Sequence, residues 1–261
     1  MAIITLTTDL GLHDYYVGAL KGTILSQMPE VTIVDISHSV PAFDIRHAAY
    51  VLRHSYQNFP KETVHILGVN AEISANQNHL AIYCDGHYFI GTDNGIFSLL
   101  FEKVPDKIYD LTNIRQETDL LIFPLKNIFV KAACHLARGG TPEVLGMQQN
   151  GFRKVDTVNP VFTNNTLHGT VMYVDSYGNA VVNISKKLFT DSVKGRSFTI
   201  EFAGEEISEI SQRYNESAGG NILALFNSAG YLEIAQVQDS ISKLYSLTVG
   251  SPVVIRVIEP E

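Results

Sequence analysis

Residues 3–22, IITLTTDLGLHDYYVGALKG, decide the fold. Residues 3–7 form a short apolar and β-branched run of the kind that makes a buried strand, and Asp9 and Gly11 break it. Asp14 then opens a segment in which Val17, Leu20, Ile24 and Leu25 recur on one helical face, giving a helix with an acidic start that stops before Pro29. A strand, a helix and a second β-branched run at residues 31–36 are how a layered α/β domain begins. The alternation continues. Ile45, Ala49, Leu52 and Tyr56 mark a second helix, and residues 64–69, 80–83, 88–90 and 107–111 read as strands. Phe129, Ala132, Ala133 and Leu136 face inward on a third helix ending at Gly139 and Gly140, a C-cap signal.

Beyond Gly140 the period changes. From Leu167 the runs GTVMYVD, AVVNI, SFTIEF, ILALF, YLEIA and PVVIRVI are separated by Gly, Asn and Asp turns, which predicts an all-β second domain. Residues 155–162, VDTVNPVF, connect the two. The expected organisation is an α/β domain with a central, mostly parallel sheet over residues 1–158 and a β domain over residues 159–261.

Composition narrows the function. A chain of 261 residues with 45% hydrophobic content can bury a substantial core. Its 27 acidic and 19 basic side chains leave a formal charge of -8, which argues against a surface that tracks nucleic-acid phosphates. No stretch is apolar for the roughly 20 residues of a membrane helix, and the N-terminus lacks a secretion signal, so a cytoplasmic protein is expected. The N-x-S/T matches at Asn164, Asn183 and Asn215 then carry no weight. Cys84 and Cys134 are too few for a disulfide framework and are expected as small buried thiols. There is no P-loop, GxGxxG, HExxH or GxSxG. The nine histidines are scattered, so His38, His87 and His135 are expected to be structural, with no metal site and no cofactor.

Three segments carry chemistry. Asp9 lies just past a strand end, where open α/β sheets bind ligands, and a carboxylate there can accept hydrogen bonds from the two hydroxyls of a ribose. Capping of turns and a helix is the plainer role for Asp9 and Asp14. In residues 174–184, VDSYGNAVVNI, Tyr177 offers a flat stacking surface and Asn179 an amide, although a simple hairpin explains the same pattern. In residues 226–238, FNSAGYLEIAQVQ, Ser228 stands in a turn whose hydroxyl and N–H groups could hold a carboxylate.

These segments occur in order with two more: residues 37–52, SHSVPAFDIRHAAYVL, and residues 91–100, GTDNGIFSLL. Together they resemble the signature blocks of the S-adenosylmethionine (SAM) hydrolase, or SAM hydroxide adenosyltransferase, family, which includes the SAM-dependent fluorinase and chlorinase. Thr92 stands where the family's PDNG turn has proline. The likeness runs from Ile3 to about Val257. It implies an α/β domain joined to a C-terminal antiparallel β-barrel, with SAM or adenosine as ligand and no separate cofactor. It also implies a homotrimer whose sites lie between the N-terminal domain of one subunit and the C-terminal domain of its neighbour. By this resemblance Asp9 takes the ribose diol, Asp14 faces the methionine amino end, and Phe43 and Tyr214 are aromatic walls. Tyr177 stacks on adenine with Asn179 as a polar contact beside it, and Ser228 binds the carboxylate, with Glu233 in the following strand. Asn70 and Phe123 complete the binding set.

The reacting positions differ from the family's. Its hydrolases attack the ribose C5′ with a water held by an Asp in a VVDPGVG block, a following Arg and a His in an FHGRD block. Here residues 67–78 read LGVNAEISANQN and residues 122–129 read IFPLKNIF, which puts Asn70, Gln77 and Pro124 at those places. An amide can orient water but cannot take its proton near neutral pH, and proline has no side-chain hydrogen-bonding group. The halogenases have Tyr at the position of Asn70 and a small Ser or Gly at that of Leu125. Hydrolysis by the family mechanism is therefore expected to be weak or lost, with halogenation disfavoured. An active hydrolase using substitutes such as Asn70, Glu72 or a residue of the neighbouring subunit, and a trimeric non-catalytic interaction protein, are the alternatives.

Overall fold

A computed structural model describes residues 2–72, 77–111, 114, 122–216 and 218–259. The chain divides into two compact units, Met1–Asp156 and Thr157–Glu261.

The first unit contains β1 (Ile3–Thr8), α1 (Tyr16–Gln27), β2 (Thr32–Ser37), α2 (Ile45–Arg53), β3 (Val64–Gly68), β4 (His79–Cys84), β5 (His87–Thr92), α3 (Ile96–Leu100), β6 (Lys107–Asp110) and α4 (Val130–Ala137). Its six strands lie in the order β2-β1-β3-β5-β4-β6. The first four run parallel, while β4 and β6 are antiparallel to their neighbours. Helices cover both faces, as a parallel sheet requires. Ile4, Leu6, Ile66 and Ile90 pack with Leu20 and Ile24 of α1 and Ala132 and Ala133 of α4. Leu67, Leu80, Ile82 and Phe89 pack with Ala49 and Leu52 of α2 and Phe97 of α3.

Several expectations change. The helix α1 starts at Tyr16 with no side-chain cap and no acid in its first turn, so exposed Asp14 stands outside it. Leu25 is 44% exposed, because successive helical residues turn by about 100° and only Val17, Leu20 and Ile24 share the buried stripe. Tyr56 is buried, but in a short 3₁₀ turn after α2. A π-turn over Leu125–Phe129 leads into α4, with the Val130 N–H bonded to the Leu125 carbonyl.

The second unit contains β7 (Val161–Thr163), β8 (Thr166–Val174), β9 (Ala180–Ser185), α5 (Lys186–Val193), β10 (Phe198–Phe202), β11 (Glu205–Ile207), β12 (Ile222–Phe226), β13 (Tyr231–Gln236), α6 (Ile241–Leu244) and β14 (Pro252–Val257). The order is β11-β10-β14-β8-β9-β13-β12, all antiparallel, with β7 added to β8. The two ends, β11 and β12, approach one another, so the sheet nearly closes into a barrel. Alternate residues such as Val182 and Ile184, Leu232 and Ile234, and Val253 and Ile255 fill its interior. The expected antiparallel barrel is present, with the short helices α5 and α6 added to its strands. Ser185 caps α5 through the Leu188 N–H at 3.2 Å, and Phe189 and Val193 bury one face of it.

Both cysteines are free and buried, and burial pushes the Cys84 thiol up to about 11. No helix among the described residues is long and apolar enough to cross a membrane.

Candidate functional site

In the α/β unit the carboxyl ends of β2, β1 and β3 converge on one carboxylate. Asp9 follows β1, and its N–H donates to the Gly68 carbonyl at the end of β3 at 3.4 Å. Its Oδ2 accepts the N–H of Phe43 at 2.9 Å and of Asn70 at 3.3 Å. Both donors sit in the left-handed region, Phe43 at φ 68° and Asn70 at φ 47°. Asn tolerates that conformation, whereas a bulky Phe does so at a cost of about 1–2 kcal/mol. Asp9 Oδ1 has no hydrogen bond among the described residues, which leaves its lone pairs for a hydroxyl ligand.

The Asn70 loop is held from behind by Asn94, which the sequence reading did not single out. Its Nδ2 donates to the carbonyls of Val69 and Asn70, each at 3.1 Å, and its Oδ1 accepts the Ile96 N–H. Gly95 follows at φ 101°, where a Cβ would meet Val155 at 2.4 Å, so the Asp-Asn-Gly turn fixes both that tether and the start of α3. The turn was legible as a motif; its reach across to residue 70 was not.

The positions expected to face the reacting atoms are placed as follows. Pro124 is buried at the head of the π-turn, a position where its missing N–H is tolerated. Leu125, 3% exposed, lies on the bare Cα of Gly68, where an added Cβ would come within 2.0 Å of its Cδ2. The floor between β1 and β3 is therefore apolar and filled. Phe123 is half-buried and meets Tyr16 edge-on at 5.5 Å. Contact with Tyr15, with Asp14 adding a smaller share, pushes the Tyr16 phenol up. Asp9, Phe43 and Asn70 are brought together by hydrogen bonds in which exposed Asp14 takes no part. Glu72 is exposed and Gln77 half-buried, with residues 73–76 between them outside the described residues.

In the barrel unit, the turn after β8 is built by Asp175. Its Oδ1 accepts the N–H of Tyr177 at 2.9 Å and of Asn179 at 2.8 Å, and its Oδ2 accepts Asn179 Nδ2 at 3.2 Å. Buried Asn179 thus commits one of its two amide N–H donors to the turn, while Tyr177 is presented 80% exposed. Gly178 at φ 85° is obligatory here, since a Cβ would fall 1.9 Å from Ser240 Oγ. Ser228 is exposed at the tip between β12 and β13. Asn227 shapes that tip by accepting the N–H groups of Ala229 and Tyr231 and donating to Glu233 Oε2 at 3.0 Å. Glu233 is 3% exposed, and its other oxygen accepts the Tyr214 hydroxyl at 2.7 Å. Both its oxygens are occupied, so it braces the turn and leaves Ser228 as the open group. Asp175 and Asn227 are further residues that sequence reasoning missed, although each stands in a quoted turn motif.

A shallow cleft of about 740 Å³ near Lys61, Glu62, Asp85 and Lys103 lies at the opposite end of the α/β sheet and contains none of these residues.

The comparisons agree with one another. Residues 4–146 match the SAM hydroxide adenosyltransferase N-terminal domain, and residues 169–254 match the corresponding C-terminal domain. An (R)-S-adenosyl-L-methionine hydrolase of Methanocaldococcus jannaschii is 28% identical over 255 residues, covering 94% of this chain and 92% of that protein. One from Thermus thermophilus is 28% identical over 258 residues, covering 94% and 96%. A fluorinase of Nocardia brasiliensis is 24% identical over 293 residues, covering 98% and 97%. A crystal structure of an uncharacterized conserved protein from Thermotoga maritima superposes with a TM-score of 0.89 at 27% identity, covering 97% of this chain and 99% of that one. With both domain models matched in order across this fold, the chain belongs to the SAM hydroxide adenosyltransferase family.

Proposed function

We propose that the protein binds SAM or adenosine and that its hydrolysis of SAM to adenosine and methionine is weak or lost. The observation that carries this is Asp9, with one oxygen held by two main-chain N–H groups and the other open, beside an Asn70 that cannot act as a base. Asp9 takes the ribose diol, and Phe43 and Phe123 supply apolar walls. Tyr177 stacks on the adenine and Ser228 holds the carboxylate. Asp14 meets the amino end, and Tyr214, Asn179 and Glu233 support the barrel turns. The protein acts as a cytoplasmic homotrimer with each site shared between two subunits. Loss of a general base costs about 10²–10⁴ in rate, and loss of the arginine removes charge that would favour hydroxide. The apolar Leu125 on Gly68 adds a floor with no side-chain donor for water.

A second reading, an active hydrolase, draws on exposed Glu72, a carboxylate two residues from Asn70. Incubating the full chain with SAM and following adenosine and methionine by chromatography, beside calorimetric titration with SAM and adenosine, separates the two. Binding with little turnover is expected. Turnover comparable to active relatives, abolished by Glu72→Gln, would establish the second reading; absence of binding to either ligand would remove both. Size-exclusion chromatography with light scattering tests the trimer.

A further inference from the structure

We infer that His38 is a positioning residue for Asp9, acting through the residues on either side of it; the inference rests on the ribose role of Asp9 proposed above. His38 follows β2 and is 4% exposed. Its Nδ1 shares a hydrogen bond with Thr8 Oγ1 at 2.7 Å, and its main-chain carbonyl accepts the Gly11 N–H at 2.9 Å. One residue thus grips the chain just before and just after Asp9, by its ring at position 8 and by its backbone at position 11. Thr8 Oγ1 also accepts the Leu10 N–H at 3.4 Å, which ties the intervening residue to the same hydroxyl.

The ring is itself anchored. Its Nε2 lies 3.1 Å from Asp35 Oδ1, off the line of a well-aligned hydrogen bond, and Asp35 Oδ2 accepts Lys21 Nζ at 2.5 Å. Burial alone would raise the Asp35 carboxyl, but its contacts with Lys21 and His38 outweigh that and hold it below the usual carboxylate range. With the Asp35 carboxylate opposite Nε2 and Thr8 Oγ1 against Nδ1, the ring is held in one orientation from both sides. With residues 8–11 fixed in this way, Asp9 Oδ1 meets a diol without first having to be ordered.

A residue that only braced β1 against β2 would affect every ligand alike; one that aims Asp9 affects only ligands with ribose hydroxyls. The full-length protein is therefore titrated calorimetrically with adenosine and with 2′,3′-dideoxyadenosine, and melting curves are recorded for each variant. Wild-type protein should prefer adenosine by at least about tenfold, since the dideoxy compound forfeits hydrogen bonds to a charged group. His38→Leu and Thr8→Val, which keep volume and delete the polar link, should reduce that preference to about twofold by weakening adenosine while leaving dideoxyadenosine nearly unchanged. Thr8→Ser should retain it. Equal weakening of both nucleosides, or a preference that survives both substitutions, overturns the positioning role alone. A wild-type protein without preference overturns the ribose role of Asp9, and the inference with it.

Discussion

The two units hold their candidate ligand groups by opposite means. In the α/β unit the main chain grips a side chain, since Asp9 is fixed by the N–H groups of Phe43 and Asn70. In the barrel, side chains grip the main chain, since Asp175 and Asn227 each collect two turn N–H groups and leave Tyr177 and Ser228 outside. The difference bears on substitution. An N–H is supplied by whatever residue occupies position 70, provided it tolerates the left-handed region, so the side chain there can vary without releasing Asp9. Turns encoded by Asp175 or Asn227 have no such latitude.

Acid should separate the units most strongly. Burial, helped by neighbouring His87, holds His65 down at about 3, and burial also lowers His47, His54 and His87. A histidine whose folded pKa is depressed contributes stability that is fully present above its unfolded value near 6.5 and lost as pH falls toward the folded value. For His65 the slope is about 1.4 kcal/mol per pH unit, or up to about 5 kcal/mol across the window. The barrel's single histidine, His168, is exposed. Hydrogen exchange read by mass spectrometry at pH 7, 5.5 and 4.5 should find peptides from the α/β unit losing protection first, with a flatter response in His65→Gln. Simultaneous loss in both units would break the contrast.

Two glycines give the next effect, about 3 kcal/mol each in urea denaturation. Gly178→Ala combines a 1.9 Å clash with a left-handed φ, while Gly68→Ala meets mainly the Leu125 side chain at 2.0 Å, with Thr8 Cγ2 farther off at 3.2 Å. Adding Leu125→Ala should recover much of the Gly68→Ala loss, whereas Ser240→Gly should recover only part of that from Gly178→Ala. Full recovery at Gly178 would show that its backbone carries no penalty. Asn94→Ala should cost about 1–3 kcal/mol, because the Val69 and Asn70 carbonyls lose their donor, and should weaken adenosine binding; unchanged affinity would detach Asn94 from the site. The smallest effect should come from Phe43→Gly, which relieves the strain at φ 68° and raises stability by about 1 kcal/mol while reducing nucleoside affinity. A loss of stability instead would mean that Phe43, despite 65% exposure, is held by packing.

The sequence displayed what local pattern controls and concealed what distance controls. The runs behind β1, β3 and β14 were legible because buried strands require unbroken apolar or alternating residues. The helices α3 and α5 were not, being only five and eight residues long and set by a Gly95 turn and a Ser185 cap more than by periodicity. Asp9 was visible by its place after a strand. The role of His38 was not, because its partner Thr8 lies 30 residues away. Likewise the link from His65 to Thr5 spans 60 residues, and nothing local distinguishes a buried histidine from a surface one.

The π-turn before α4 bears on how this site can change over time. It spends one residue more than an α-helical turn would, as the bond from Val130 back to Leu125 records. Deleting a residue within Leu125–Phe129 would let the turn relax to α-helical geometry and change where Leu125 stands against Gly68. A single-codon deletion, with no change in residue type, is therefore one mutational step between an apolar floor and a different one, and length variation in this turn is the place to look for descendants with altered chemistry.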